Sequence, residues 1–307
     1  MTAALTGRRV LLFGAHGQLG QELAQTLAPV CELTALDRTR ADFARPDSLR
    51  RVVRRHAPEV IINAAAYTAV DAAENEPDVA NIVNAEAPGV LAEEADQQGA
   101  CVVHYSSDYV FDGRNTTSYS EEDTPNPLSA YGRSKLEGEL AVADACRRHL
   151  IFRTSWLFGP HGRNFLKTIL RLATDRETLR VVADQYGAPT SVETVAEVTG
   201  EALCLQLNAS PDNSNWGLYH LAANGETTWH GYARHIVAQA RSIGMPLKAT
   251  AENIIPITSS EYAAPAPRPA NSRLATDKLR SRFRVRLPDW QTDVERVLRQ
   301  VSVRQNQ

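Results

Sequence analysis

Residues 8–27, RRVLLFGAHGQLGQELAQTL, decide the fold. Arg8 to Phe13 is a compact apolar run ended by a glycine, too short for a helix, and it reads as a buried strand. Gly14, Gly17 and Gly20 then set a G-x-x-G-x-x-G turn, and Leu19, Leu23 and Leu27 follow at a spacing of four, the stripe of a helix with one buried face. A strand that passes through glycines straight into a helix is the opening unit of an α/β sheet.

Outward from this unit the same alternation recurs. Glu32 to Leu36 is a second strand ending at Asp37, a polar helix spans Pro46 to His56, and Val60-Ile61-Ile62 is a third strand. Ala85 to Gln98 predicts a helix ahead of the strand Cys101 to Tyr105, and Ala130 to Cys146 another ahead of Leu150-Ile151-Phe152. Strands separated by helices make a parallel sheet covered on both faces. The expected class is therefore α/β, with a Rossmann-like doubly wound sheet in residues 1–156, completed by parts of 179–222.

Beyond Trp156 the pattern loosens: a helix near Phe165 to Thr174, an apolar run Leu179 to Ala183, and a long helix Ser191 to Leu207. Residues 157–307 are expected to form mainly a smaller C-terminal substrate-binding lobe. Ile255 to Ser272 carries Pro256, Pro265, Pro267 and Pro269, which argue for an extended loop, either closing over a ligand or running along the surface.

Composition narrows the partners. The chain has 307 residues, 43% of them hydrophobic, and a net charge of −3 with both signs mixed along its length. That is enough apolar material for a packed core and gives no field to attract nucleic acid or a membrane. The local excess of arginine between Arg268 and Arg286 reads as a solvated surface with internal pairs, though one of these side chains can meet a phosphate. The apolar run at the N-terminus is far shorter than a signal core or a membrane span, so a cytoplasmic protein is expected. Cys31, Cys101, Cys146 and Cys204 are scattered without metal-ligand spacing and are expected to be buried, reduced thiols.

The glycine turn allows the backbone to approach a pyrophosphate, which the amides and dipole of a helix N-terminus favour. Asp37 ends the second strand, where a carboxylate can accept from the adenosine ribose hydroxyls; Arg38 beside it suits a 2′-phosphate. NADH and NADPH are both expected cofactors. Tyr131 and Lys135 lie one helical turn apart on one face. Reducing a ketone leaves charge on oxygen, so a proton donor must stand there, and a cation beside a phenol lowers its pKa. Ser106-Ser107-Asp108-Tyr109 follows a strand at its carboxyl end, where Ser107 can orient a keto oxygen and Asp108 either packs a turn or touches substrate.

These residues sit in longer segments: LLFGAHGQLGQEL, INAAAYTAVDAAE, VVHYSSDYVFDG, NPLSAYGRSKLEGE, IFRTSWLFG, DQYGAPTS, GLYHLAA and RPANSRL. Together they resemble the extended short-chain dehydrogenase/reductase family, and within it the reductases of dTDP-linked 4-keto-6-deoxy sugars, over almost the whole chain. The resemblance implies Tyr131 as proton donor, Lys135 as its electrostatic partner, and Ser107 beside the keto oxygen, where relatives commonly carry threonine. It implies dinucleotide contacts from Gly17, Gln18, Leu19, Asp37, Asp42, Phe43, Ala65, Ala66, Tyr67 and Thr68. A dTDP-sugar would meet Ser107, Asp108, Tyr131 and Trp156, the indole offering a flat apolar face. Glu22, Glu193 and Glu295 match positions resembling carboxylate ligands of a magnesium ion between the subunits of a homodimer. Two other classes stay open: a sugar-nucleotide epimerase or dehydratase with permanently bound NAD, and a non-catalytic module resembling the regulatory subunit of methionine adenosyltransferase.

Overall fold

Along each central strand the apolar residues alternate, and the alternation sends them to two cores. In strand Arg9–Phe13, Val10 and Leu12 face one way and Leu11 and Phe13 the other, as a two-residue period requires. In the computed structural model, which describes residues 4–210 and 215–305, this strand is flanked by Glu32–Leu36 and Val60–Asn63. Cys101–Ser107, His149–Thr154 and Gly217–His220 continue outward beyond Val60–Asn63 and complete a six-stranded sheet whose pairings are all parallel.

Helices cover both faces. Gln18–Leu27 and Val192–Asn208 bury Leu19, Leu23, Leu27, Val195 and Leu203 against Leu12, Ile62 and Val103. Pro46–His56, Ala87–Gln97 and Ala130–Ala145 enclose Leu11, Phe13, Ile61, Val102 and Ile151 on the other face. The chain leaves the first strand toward one edge of the sheet and returns to build the other. This reversal opens a crevice at the carboxyl ends of Arg9–Phe13 and Val60–Asn63.

A third core lies beside the sheet. Helices Phe165–Asp175, Trp229–Ser242 and Trp290–Gln305 pack Leu166, Ile169, Tyr232, Ile236, Val294 and Leu298 together. Two expectations need correction here. Residues 279–287, assigned by position to the second lobe, return to the sheet, where Leu279, Phe283, Val285 and Leu287 join the first core. No local pattern announces such a return. The stretch from Ile255 is also not wholly loop: Ile254–Ile257 pairs in parallel with Leu179–Val182, and Ser259–Tyr262 is one helical turn capped by Thr258 and Glu261. Pro256 is tolerated because the ribbon has two strands, leaving one edge without a partner. Thr258-x-x-Glu261 is a capping box, a local helix signal in a stretch read from its prolines alone.

Candidate active site

A cleft of about 930 Å³ opens at the carboxyl ends of the strands. Every residue expected to serve catalysis, the dinucleotide or the sugar lines it, with Gly20 as the one exception. Gly14 has φ of +80°, and a Cβ there would stand 2.6 Å from the carbonyl carbon of Ala64, so only glycine lets the two strand ends approach. At Gly20 a Cβ would fall 2.0 Å from the Gly14 carbonyl oxygen. Gly20 therefore seats the helix against the turn and does not face the cleft, a structural role in place of the expected contact.

Helix Gln18–Leu27 begins at this turn, and its extended N-cap, Gly17, has no side chain to satisfy the first amides. Those donors and the positive end of the helix suit a pyrophosphate. At the next strand end, Asp37 accepts from the Thr39 hydroxyl at 2.6 Å and from the Thr39 amide at 2.9 Å, which holds its carboxyl below the usual range. Its other oxygen lies 3.5 Å from His16 Nδ1. Arg38 is exposed, 3.7 Å from Asp42. Phe43 packs edge-on against Phe13 at 5.6 Å. The loop Ala65 to Thr68 is held from below: the Ala65 amide donates to Asn63, and the Asn84 side chain accepts from the Tyr67 amide and donates to its carbonyl. The donors and the cradle fit a dinucleotide.

Helix Ala130–Ala145 starts at Ser129, whose hydroxyl caps the Gly132 amide at 3.1 Å, and so points Tyr131 and Lys135 into the cleft floor. Tyr131 packs edge-on against Tyr109 at 5.7 Å. Burial pushes its phenol up to about 12, opposed by a hydrogen bond with Ser107. The net direction is upward because burial outweighs that hydrogen bond. Lys135, 2% exposed, donates its ammonium to the Tyr105 carbonyl at 2.6 Å. Burial pushes Lys135 itself down to about 8, with Glu139, one turn further along the helix, pulling it back up. Glu139 is in turn clamped by Arg153 through bonds of 2.8 and 2.6 Å, both side chains buried.

The sugar side is assembled from distant segments. Ser107 donates to Asp108 at 2.9 Å and accepts from the Tyr109 amide at 3.1 Å. Burial pushes the Asp108 carboxyl up to about 6, with Ser272 the main group opposing it. Trp156 has a left-handed φ of 49° and stacks on Trp229 at 3.7 Å. It is half-buried and borders the cleft. Trp229, behind Trp156, was not foreseen, nor were Arg163, Gly162 and Glu76, which line the cavity. Thr154 was within reach, since it ends a strand at the same level as Ser107, its register partner.

Two of the C-terminal arginines are paired within the chain and mostly covered: Arg268 with Asp71 at 2.9 Å and Arg273 with Glu226 at 2.7 Å. All four cysteines are free thiols, Cys31 half-buried and the others buried. Among the described residues no three His, Cys, Asp or Glu side chains are grouped to hold a metal; Glu193 pairs with Arg296 at 3.0 Å. Among them, too, no helix is long and apolar enough to cross a membrane.

Residues 8–303 match the family model for the RmlD substrate binding domain. The chain is 48% identical to the dTDP-4-dehydrorhamnose reductase of Salmonella typhimurium, covering 94% of this chain and 96% of that protein. It is 47% identical to the protein of the same name from Burkholderia thailandensis, covering 92% and 95%. Among solved structures, dTDP-4-dehydrorhamnose reductase from Bacillus anthracis in complex with NADP superimposes with a TM-score of 0.88 at 34% identity, over 96% of this chain and all of that one.

Proposed function

The chain belongs to the RmlD substrate-binding-domain family, and on that premise we propose that it is a dTDP-4-dehydrorhamnose reductase, converting dTDP-4-dehydro-L-rhamnose to dTDP-L-rhamnose with NAD(P)H. The observation that carries this is the meeting of Tyr131, Ser107 and Lys135 in the floor of one cleft, in a chain so similar to reductases over nearly its whole length. Likeness to a dTDP-glucose 4,6-dehydratase and a UDP-glucose 4-epimerase stands at 17% and 14% identity and speaks for the fold alone.

When bound, the dinucleotide supplies the hydride that reduces C4 of the sugar. Its pyrophosphate would rest on Gly14, Gly17, Gln18 and Leu19. Asp37, Asp42 and Phe43 would hold the adenosine, Arg38 a 2′-phosphate when present, and Ala65, Ala66, Tyr67 and Thr68 the other half. The Tyr131 phenol, neutral at working pH because burial raises it, arrives with the proton that the keto oxygen must receive. Ser107, whose single O–H rests on Asp108, would turn that O–H to the keto oxygen and orient it. Proton transfer leaves a tyrosinate, which the Lys135 ammonium stabilises until solvent returns the proton. One Lys135 N–H is committed to Tyr105, leaving two for the tyrosinate and a ribose hydroxyl. Asp108 and Trp156 would line the sugar, Trp156 through its apolar face.

Residues 1–156, with parts of 179–222, would carry the dinucleotide and residues 157–307 most of the sugar nucleotide. A cytoplasmic location, and a homodimer joined through magnesium at Glu22, Glu193 and Glu295, belong to the same proposal and rest on family resemblance. A sedimentation mass unchanged by excess magnesium counts against the metal bridge. For the reaction itself, enzyme, NADPH and dTDP-4-keto-6-deoxyglucose are mixed with and without a 3,5-epimerase. NADPH oxidation and dTDP-L-rhamnose should appear only with the epimerase. Equal reduction of the unepimerised sugar, or sugar isomerisation without NADPH consumption, contradicts the assignment.

A further inference from the structure

The segment Arg268 to Arg273 ties together parts of the chain that are far apart in sequence. Asn271 donates to the carbonyls of Asn115 and Thr117 at 2.8 and 2.7 Å. Arg273 donates to the Thr116 carbonyl at 2.6 Å. The backbone around Ser272 pairs with Tyr186 through bonds of 2.8 and 2.7 Å. Ser272 itself is buried and faces the carboxyl of Asp108, which borders the cleft. Arg268 is the outer end of this segment. Its Nη2 donates to both Asp71 oxygens at 3.0 and 2.9 Å, and Nη1 donates to its own loop at the Ala266 carbonyl, 3.0 Å away. The Ala266 amide donates to Asp71 as well, at 3.2 Å. Asp71 lies three residues beyond Thr68, the last of the cleft-lining residues in its loop. The guanidinium also faces the phenol of Tyr109, the ring packed against Tyr131.

We propose that Arg268, latched on Asp71 across 197 residues of chain, is a positioning residue that fixes the sugar-nucleotide side of the cleft through Tyr109 and the Ser272–Asp108 contact. This deepens the reductase reading and rests on it. An exposed ion pair alone contributes little. Here it does something else: three hydrogen bonds to one carboxylate pin the proline-rich loop at Ala266, and ordering that loop in advance spares the substrate the cost of doing so. The latch touches no residue proposed to hold the dinucleotide. Its loss should be felt by one ligand only.

The test is a double-mutant cycle of Asp71→Asn, Arg268→Gln and the double variant, with NADPH affinity measured by fluorescence and amide exchange followed over residues 263–270. Each single variant should raise the sugar-nucleotide KM about tenfold, leave kcat and NADPH affinity within about twofold, and speed exchange at Ala266. The double variant should be no worse than either single one, since both remove the same contact. Additive losses, equal losses of NADPH affinity, or unchanged KM with normal folding overturn the proposal. If the unaltered enzyme does not reduce the ketosugar, the reductase reading fails, while the exchange comparison still decides whether Asp71 pins the loop. Unchanged exchange in Asp71→Asn then overturns the latch independently.

Discussion

The two sides of the cleft are built in opposite ways. On the dinucleotide side, Gly14 to Leu19, Asp37 to Phe43 and Ala65 to Thr68 follow successive strands of one sheet, and each group is positioned by its own strand-turn-helix unit. The sugar side has no such local author. Asp108 lies beside Ser272, Trp156 stacks on Trp229, and Tyr109 lies beside Arg268. The first side is local and repeats a pattern; the second is a set of side-chain contacts between segments separated by 70 residues or more. Tyr131 stands where the two meet. Damage to one side should therefore spare the other ligand, and damage at the junction should stop the reaction while sparing both.

The largest effect is expected at the junction. Tyr131→Phe keeps the ring and its packing on Tyr109 but removes the proton, so turnover should fall about 100-fold or more with NADPH affinity intact. Near-normal turnover would show that the proton comes from elsewhere. Behind the junction, Glu139→Gln leaves Arg153 buried without its counter-charge and should lower stability by about 3–5 kcal/mol in denaturant titration. The same change removes the group that raises the Lys135 pKa. In the unaltered enzyme turnover should decline as pH rises through about 8, where Lys135 loses its proton, because tyrosinate then faces no cation; in Glu139→Gln that decline should begin at lower pH. A pH limb that does not move would detach Glu139 from Lys135.

Smaller effects separate the sides. Trp156→Ala should raise the sugar-nucleotide KM about 3- to 10-fold, the scale of an aromatic contact, and leave NADPH affinity unchanged. If both ligands weaken together, the two sides are one unit and the comparison breaks. Arg38→Ala should weaken NADPH about fivefold relative to NADH, a modest effect because the side chain is exposed. Equal weakening of both cofactors removes Arg38 from the 2′-phosphate.

This contrast also explains what could be read in the sequence. Five strands of the sheet were legible because each is a short apolar run followed by a helical pattern, and helix Pro46–His56 and strand Glu32–Leu36 end where the pattern ends; the sixth, Gly217–His220, was foreseen only as some part of 179–222. The turn at Gly14 was legible because a positive φ beside another backbone admits little else. Trp229 and the Arg268–Asp71 latch were not, since a stacked ring or an ion pair leaves no mark at either end of the chain segment that makes it. The return of Leu279 to Leu287 to the first core failed for the same reason: an apolar residue does not say which core it joins. The upward direction of the Tyr131 shift was not legible, because spacing along a helix gives neighbours but not the depth of burial that dominates it.

The central claim is that one cleft brings hydride and proton to the same carbonyl, and isotope tracing tests it most directly. With NADPH deuterated at the transferable position of nicotinamide C4, in ordinary water and with the epimerase-generated ketosugar, the account predicts dTDP-L-rhamnose carrying one deuterium bonded to C4, read by NMR. Product that carries protium at C4, or that forms with no deuterium leaving the cofactor, would contradict it.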